Sequence, residues 1–301
     1  MKTAHILYNP LAGNGKCNED VKVLEGFIED SVVHHDVTAC GDDLTFLTRL
    51  PEDDYIILCG GDGTLNRFAN SVEGLDIQNE ILYFPGGSGN DFANDMNIKR
   101  GDKPFAIKEY IKDLPTVFVN GKSYKFINGI GYGIDGYCCE EADKLRAKSK
   151  KRINYTSIAL KGLAYDYKPT SAKVTIDGQT REYKKVWMAP TMNGRYFGGG
   201  MMATPHQNRK NANGTVSLMV LHDCTNIRLL MAFPGVYEGK HVKLTKIIDF
   251  FDGHDITVEF SRPSALQIDG ETVLGVSSYS VKTATALKRE QESEERKYAE
   301  V

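Results

Sequence analysis

The chain has 301 residues, which is long enough for about two domains of ordinary size. Its composition, with 41% hydrophobic and 26% charged residues, is typical of a folded protein, so a disordered or fibrous chain is excluded. Forty acidic residues against 37 basic ones leave a formal net charge of -3, and this balance argues against a nucleic-acid-binding function. No apolar run approaches the roughly 18 residues that a membrane-spanning helix needs.

The cysteine pattern and the N-terminus favour an intracellular protein. The six cysteines include no C-x-x-C pair, and the adjacent Cys138 and Cys139 could form a disulfide only with severe strain. The N-terminal apolar segment is too short for a signal peptide. The seven histidines lack the spacing of a zinc site. We therefore expect reduced thiols and a cytoplasmic chain without zinc.

A short apolar run followed by a glycine-rich turn and a helical segment occurs three times in the N-terminal third of the chain. The turns cover residues 9–16, 60–64 and 85–91. Strands that alternate with helices predict right-handed crossovers and a parallel sheet. Because ligand sites of such sheets lie at the carboxyl ends of the strands, we expect the three glycine loops to gather along one edge.

Beyond about residue 120 the pattern changes to alternating strands joined by Asp-Gly or Asn-Gly turns. This pattern predicts a mainly antiparallel second domain, interrupted by one helical stretch from about residue 140 to 165. The C-terminal end is rich in Glu and Lys and predicts a frayed polar tail. We place the α/β domain at 1–122, the antiparallel domain at 123–288 and the tail at 289–301.

The turn Gly60-Gly61-Asp62-Gly63-Thr64 is a candidate phosphate site. Consecutive glycines after a buried strand let backbone N–H groups approach an anion, and the following helix N-terminus adds partial positive charge. Asp62 alone would repel a phosphate, but a Mg²⁺ ion between the two charges would reverse this interaction. The alternative is an ordinary strand-to-helix turn in which Asp62 or Thr64 is the helix N-cap.

Three other motifs are weaker when each is taken alone. The segment that ends at Lys16 fails the Walker A pattern, because Pro10 and Cys17 stand where a glycine and a Ser or Thr are required. Residues 131–136 match G-x-G-x-x-G, but the chain is basic at the position where a dinucleotide site needs an acid. Asp269-Gly270-Glu271 by itself predicts a hairpin turn.

Taken together, five motifs resemble those of the diacylglycerol kinase-like lipid kinases, and they occur in the same order. This family includes bacterial diacylglycerol and phosphatidylglycerol kinases and eukaryotic sphingosine and ceramide kinases. The resemblance spans about residues 4–285, and the ordered set is specific although each motif is weak. The motifs are Asn9-Pro10-x-Ala12-Gly13, Gly60-Gly61-Asp62-Gly63-Thr64-Leu65-Asn66, Pro85-x-Gly87-Ser88-Gly89-Asn90-Asp91-Phe92-Ala93, Gly198-Gly199-Gly200-Met201 and Asp269-Gly270-Glu271.

The resemblance implies an α/β nucleotide-binding domain of the NAD kinase and diacylglycerol kinase type, a C-terminal antiparallel β-sandwich and an active site between them. It leaves open whether the final strand returns to the first domain. It also implies that Asp62 organises Mg²⁺ through water, that Glu271 is the general base and that Asp135 contacts the lipid headgroup. The nucleotide-binding positions that it implies are Asn9, Thr38, Gly60, Gly61, Asp62, Gly63, Thr64, Leu65, Asn66 and Ser88.

The sequence therefore predicts an ATP-dependent lipid kinase that transfers the γ-phosphate to a hydroxyl of diacylglycerol or a related lipid. One alternative is an NAD kinase, which shares the Gly-Gly-Asp-Gly-Thr motif. Another is a non-catalytic nucleotide- or lipid-binding module, which two departures from the family pattern suggest. Asn213 stands where several bacterial members have a metal-binding aspartate, so no metal is predicted there, and Arg67 replaces an acid.

A basic run at residues 144–152 contains six basic residues and no acidic one. It predicts either a face that contacts an anionic membrane or an ordinary solvated helix face. A lipid kinase without a membrane span must meet its substrate at a membrane surface, so we expect transient peripheral contact. No nucleic acid partner is expected, and the oligomeric state stays open, a homodimer included.

Overall fold

The computed structural model describes residues 2–41, 43–148 and 153–299, and the chain divides into two compact units. The first unit comprises Met1–Asp113 and Gly198–Gly200, and the second comprises Leu114–Phe197 and Met201–Val301. The division at Asp113 falls before the predicted boundary at residue 122. The reason is that the strand Thr116–Val119 pairs with strands of the second sheet only.

The first unit is an α/β fold with one mostly parallel sheet, as predicted. Its strands are β1 (Thr3–Tyr8), β2 (Ser31–Asp36), β3 (Tyr55–Gly60), β4 (Glu80–Pro85) and β5 (Phe105–Ala106). Their order in the sheet is β2-β1-β3-β4-β5, and only β5 is antiparallel to its neighbour. The helices are α1 (Ala12–Gly15), α2 (Cys17–Glu25), α3 (Val37–Cys40), α4 (Asp62–Ser71), α5 (Asp91–Asp95) and α6 (Lys108–Ile111).

The central strand β3 explains why this sheet is parallel and buried. Ile56, Ile57, Leu58 and Cys59 are completely buried, so both faces of the strand are covered. An uninterrupted apolar run of this kind is typical of a central strand in a parallel sheet. The glycine turn that follows it therefore begins at a fixed point of the sheet edge.

The second unit is the predicted antiparallel β-sandwich. The strands are β6 (Thr116–Val119), β7 (Lys122–Lys125), β8 (Gly129–Tyr132), β9 (Thr170–Ile176), β10 (Gln179–Val186), β11 (Thr191–Met192), β12 (Tyr196–Phe197), β13 (Met201–Met202), β14 (Val216–Leu221), β15 (Ile248–Gly253), β16 (Asp255–Ile268) and β17 (Glu271–Lys282). The main strand order is β15-β14-β11-β8-β16-β17-β6-β7, and β9 pairs with both β10 and β16. The helices are α7 (Ile134–Lys148), α8 (Tyr155–Lys161), α9 (Asn226–Ala232) and α10 (Ala284–Ala299), with a π-helical turn at Gly162–Asp166.

The long strand β16 connects the two halves of this sheet. Its first part, Ile256–Phe260, pairs with β9, and its last part, Leu266–Ile268, pairs with β8. The register with β17 shifts between Glu259 and Leu266, which is the kind of irregularity that lets a strand bend between layers. The final strand β17 pairs with β16 and β6, so it stays in the second unit and does not return to the first.

The C-terminal tail is helical rather than frayed in its described part. Helix α10 covers Ala284–Ala299 and begins after Thr283, whose Oγ1 accepts a hydrogen bond from the Ala286 N–H at 3.3 Å. Alanine, leucine, lysine, arginine and glutamate dominate this segment and are strong helix formers. Among all described helices, none combines the length and apolar character that crossing a membrane requires.

Candidate active site

The three glycine loops of the first unit pack against one another at the carboxyl ends of β1, β3 and β4, as predicted. A Cβ atom added to Gly13 would lie 2.7 Å from the carbonyl oxygen of Gly86. A Cβ atom added to Gly87 would lie 2.5 Å from the Cα of Gly61. Only glycine allows backbones to approach so closely, so these residues fix the three loops as one rigid edge.

This packing predicts different effects for two neighbouring glycines. We expect Gly87→Ala to lower the free energy of unfolding by about 1–3 kcal/mol, because the new methyl group overlaps the Gly61 backbone. In Gly63→Ala the added Cβ meets nothing within 4 Å, so the change should stay within about 0.5 kcal/mol. Urea unfolding of both variants measures the difference, and equal stabilities would contradict the packing of the loops.

Asp62 joins two of these loops through its carboxylate. Oδ2 accepts a hydrogen bond from the Asp91 N–H at 3.0 Å, and Oδ1 accepts one from the Phe92 N–H at 3.0 Å. These N–H groups belong to the first turn of α5, so Asp62 caps a different helix from the one it begins. The N-cap position of α4 is Gly61, and Asp62 is already the first residue of the helix, so the alternative in which Asp62 or Thr64 is the N-cap is wrong.

Asp91 is a site residue that the sequence reasoning missed. Its carboxylate accepts hydrogen bonds from the Gly199 N–H at 2.9 Å and the Gly200 N–H at 2.7 Å. These contacts place the Gly198–Gly200 segment in the first unit. The motif that contains Asp91 and the Gly198–Gly200 motif are both visible in the sequence. Nothing in their spacing indicates that Asp91 accepts hydrogen bonds from these glycines.

The other predicted nucleotide-binding positions occupy the same edge of the sheet but differ in exposure. Thr38 follows β2 and is exposed, and its N–H and hydroxyl donate to Asp36 at 2.8 and 2.7 Å. Ser88 is also exposed, and the Asn9 side chain accepts from the Leu11 N–H at 2.9 Å. The Leu65 side chain is completely buried.

Residues 60–66 are predicted to bind the nucleotide. Within this stretch the Leu65 side chain belongs to the core, so only the Leu65 backbone is available to a ligand. The flanking positions differ: Gly63 is exposed, Asn66 is partly buried, and Thr64 packs against Gly60. The first N–H groups of any helix lack partners within that helix, and their partial positive charge attracts anions. The N-terminus of α4 beside the glycine loops can therefore bind a phosphate group.

In the second unit, Asp269 and Gly270 form the predicted hairpin turn between β16 and β17. Their φ angles are 46° and 95°, and both are positive, as a two-residue type I′ turn requires. The Asp269 carboxylate accepts hydrogen bonds from three consecutive backbone N–H groups, at 2.5, 2.8 and 2.9 Å. The donors are Ile127, Asn128 and Gly129. The turn is therefore held in one position by its own aspartate.

Glu271 follows this turn as the first residue of β17 and has an exposed side chain. The residues on either side of it are tied down. The Gly270 N–H donates to Gln267 Oε1 at 2.6 Å, and the Thr272 hydroxyl donates to Asp143 Oδ2 at 2.6 Å. The structure thus presents an exposed carboxylate on a fixed backbone, which suits a group that must accept a proton.

Asp135 lies close to this turn but is buried. Gln267 Nε2 donates to Asp135 Oδ2 at 2.9 Å, so one glutamine side chain links Asp135 to Gly270. Burial raises the pKa of the Asp135 carboxyl to about 6, although the hydrogen bond from Gln267 acts in the opposite direction. Gly131, the first glycine of the G-x-G-x-x-G match, leaves room for the Asp135 carboxylate. A Cβ atom at Gly131 would lie 1.4 Å from Asp135 Oδ2.

The raised pKa of Asp135 predicts a pH-dependent stability. Because the folded state binds this proton more tightly than the unfolded state, the contribution is complete at low pH and is lost as the pH rises towards 6. We expect Asp135→Asn, which keeps an oxygen acceptor, to gain about 2–3 kcal/mol over the wild type between pH 4 and pH 7. Urea unfolding across this range provides the test, and parallel pH profiles would argue against a buried ionisable carboxyl.

An apolar cavity of about 60 Å³ lies beside Asp135 in the second unit. Its volume equals that of about two water molecules in the liquid, so it holds only a short apolar segment of a ligand. Sequence reasoning missed the cavity because its lining comes from segments with no common periodicity. The lining includes Ile134, Leu163, Met219, Leu229, Phe233 and His241.

The basic run at 144–152 lies only partly within the described residues. Lys144 forms ion pairs of 2.7 Å with Glu140 and Glu141, and Arg146 forms one of 2.8 Å with Asp143. Residues 149–152 lie outside the described part of the chain. At least these two bases therefore have acidic partners on their own helix.

Each of the two units matches a family model of known proteins. The family model of the diacylglycerol kinase catalytic domain matches residues 3–121, and that of the YegS C-terminal NAD kinase beta sandwich-like domain matches residues 128–286. Diacylglycerol kinase of Bacillus subtilis (strain 168) is 27% identical over 284 residues, which is 90% of each chain. Diacylglycerol kinase of Mycobacterium tuberculosis (strain ATCC 25618 / H37Rv) is 24% identical over 202 residues, or 64% of this chain and 63% of that one.

A solved structure shares the fold. The crystal structure of a diacylglycerol kinase from Bacillus anthracis str. Sterne superposes with a TM-score of 0.55, 19% identity and 93% coverage of both chains. The two family models, which match the α/β unit and the β-sandwich, define a class of phosphotransferases. The chain belongs to the diacylglycerol kinase-like family of lipid kinases, and the predicted family and fold class are confirmed.

Proposed function

We propose that the protein uses ATP and Mg²⁺ to phosphorylate a hydroxyl of diacylglycerol or a closely related lipid. The observation that carries this proposal is the position of Asp62 among the glycine loops, where two backbone N–H groups hold its carboxylate. Membership in a lipid kinase family supports a lipid as the acceptor.

The nucleotide side of the reaction belongs to the first unit. The glycine loops and the N-terminus of α4 would bind the triphosphate through backbone N–H groups. Among the described residues, no group of three or more His, Cys, Asp or Glu side chains is arranged so that it could hold a metal ion. Mg²⁺ usually binds through one or two carboxylates together with phosphate oxygens and water, so Asp62 fits an ion that enters with the nucleotide. When bound, this ion neutralises charge on the phosphates.

The acceptor side of the reaction belongs to the second unit. Glu271 would accept the proton of the attacking hydroxyl, because its carboxylate is exposed while the turn before it is fixed. Asp135 would contact the polar end of the lipid, and the apolar cavity beside it would take part of the hydrocarbon. The lipid would be reached by transient peripheral contact with a membrane.

A panel of acceptors tests this proposal. The full chain is incubated with γ-labelled ATP and Mg²⁺ and, separately, with diacylglycerol, phosphatidylglycerol, sphingosine and ceramide in mixed micelles. We expect label in the organic phase with diacylglycerol or one of its relatives, and no label when EDTA removes the metal. Absence of labelled lipid with every acceptor would contradict the proposal and favour a non-catalytic binding module.

A further inference from the structure

Four large apolar side chains are exposed on neighbouring helical segments of the second unit. On α9, Ile227 and Met231 are 72% and 79% exposed and lie one helical turn apart. Tyr165 in the π-helical turn is 82% exposed, and Leu160 of α8 is exposed as well. Single exposed apolar residues are ordinary, but a cluster of them marks an interaction surface.

These side chains belong to one surface because α9 packs on the π-helical turn. Asn226 Nδ2 donates to the carbonyl oxygens of Leu163 at 2.8 Å and of Ala164 at 3.4 Å. Asn226 precedes Ile227, and Ala164 precedes Tyr165, so this contact brings both exposed side chains to the same region. We name the four residues the α8–α9 surface: Leu160, Tyr165, Ile227 and Met231.

The inner faces of the same segments line the apolar cavity. Ala159 of α8, Leu163 of the π-helical turn and Leu229 of α9 all contribute to its wall. Leu163 and Leu229 are buried, whereas residues two positions away in each segment are exposed. A single layer of helical segments therefore separates the cavity from the α8–α9 surface.

The chain segment that contains α9 is basic. Residues 225–246 carry four basic side chains and one acidic one, whereas the whole chain has a net charge of -3. Arg228, Lys243 and Lys246 are exposed, and within the described part of the chain they have no ion-pair partner. Exposed bases beside exposed apolar side chains complement the anionic headgroups and the hydrocarbon boundary of a bilayer.

We propose that the α8–α9 surface docks on an anionic lipid bilayer. Ile227, Met231 and Tyr165 insert among the headgroups, while Arg228 and Lys243 contact lipid phosphates. The inference rests on the proposed function, because a lipid acceptor has to be taken from a membrane. This surface is separate in sequence from the basic run at 144–152, of which Lys144 and Arg146 have acidic partners.

Vesicle sedimentation with the full chain tests this surface. We expect stronger binding to vesicles of phosphatidylcholine with phosphatidylglycerol than to phosphatidylcholine alone. The double variant Ile227→Gln/Met231→Gln should bind about tenfold more weakly, since it removes the inserted apolar area. Arg228→Gln/Lys243→Gln should bind vesicles that contain phosphatidylglycerol roughly tenfold more weakly than the wild type does. The matched control Val23→Gln/Leu274→Gln removes two exposed apolar side chains elsewhere and should bind like the wild type.

Two further measurements separate the possible failures. Thermal unfolding should show that the Ile227→Gln/Met231→Gln variant is folded, and its rate on a short-chain, water-dispersed diacylglycerol should equal that of the wild type. Vesicle binding that is equal in this variant and the wild type would overturn the docking surface even if the enzyme is an active lipid kinase. A change from dimer to monomer in the variant, seen by analytical ultracentrifugation, would overturn it in favour of a second copy of the chain. Binding that is weakened in this variant but not in the Val23→Gln/Leu274→Gln control supports docking even if the acceptor proves different.

Discussion

Glu271→Gln is expected to lower the turnover number by about 10²–10⁴-fold, because glutamine cannot accept the proton of the attacking hydroxyl. Glu271 is exposed, and the turn before it is held by Asp269 and by the bond from Gly270 to Gln267, so the substitution should not disturb the fold. The affinity for Mg-ATP should stay that of the wild type. Steady-state kinetics with a dispersed lipid acceptor, together with calorimetric titration of Mg-ATP, measure both quantities.

The matched control is Glu182→Gln, which changes an exposed glutamate on β10 of the same unit. It should leave turnover unchanged. If the Glu271→Gln variant turned over at a rate near that of the wild type, another group would have to be the base. A loss of nucleotide affinity in this variant would also contradict the assignment, because the glycine loops that we propose as the nucleotide site belong to the first unit.

Asp62→Asn is expected to weaken Mg-ATP binding and turnover together, by about 10–100-fold. A side chain that holds a metal ion through water affects both the affinity for the metal and the activity. The amide also replaces one hydrogen-bond acceptor by a donor, so it loses one of the bonds to the Asp91 and Phe92 N–H groups. That loss of capping should cost about 0.5–2 kcal/mol of stability.

The dependence on Mg²⁺ concentration separates these two effects of Asp62→Asn. If Asp62 organises the metal, the variant should need more Mg²⁺ for half-maximal turnover, and added Mg²⁺ should restore part of the rate. A variant that is only less stable, with the Mg²⁺ dependence of the wild type, would show that Asp62 serves as a helix cap alone.

The repeated unit of strand, glycine turn and helix was enough to predict the parallel sheet and the gathering of its loops. This succeeds because the period of apolar residues and the position of glycine are local properties of the chain. The hairpin at Asp269 and Gly270 was predicted for the same reason, since positive φ angles restrict which residues a type I′ turn accepts.

Features that depend on distant contacts were not predictable in this way. Asp62 caps α5 because the tertiary fold brings two loops together, and Asp91 binds glycines more than a hundred residues away in the chain. The final strand stays in the second sheet through its pairing with β6 and β16. The tail was predicted to be frayed from its charge, but its residue types favour the helix α10.

The apolar cavity and the α8–α9 surface were also not predictable from the sequence. On α9, Leu229 points inward and Ile227 outward, yet both are aliphatic residues in one short segment. Hydrophobicity alone cannot tell the two apart. Only the packing of α9 on the π-helical turn distinguishes the wall of the cavity from an exposed interaction surface.

The most direct test of the account is a competition between two acceptors in one sample. The full chain receives γ-labelled ATP, Mg²⁺, NAD and dispersed diacylglycerol together, and the label is followed into the organic and aqueous phases. We expect the transferred label in phosphorylated lipid and none in NADP, and we expect label to enter the lipid about 10²–10⁴-fold more slowly when Glu271→Gln replaces the wild type. Label that accumulates in NADP instead of lipid would contradict the account.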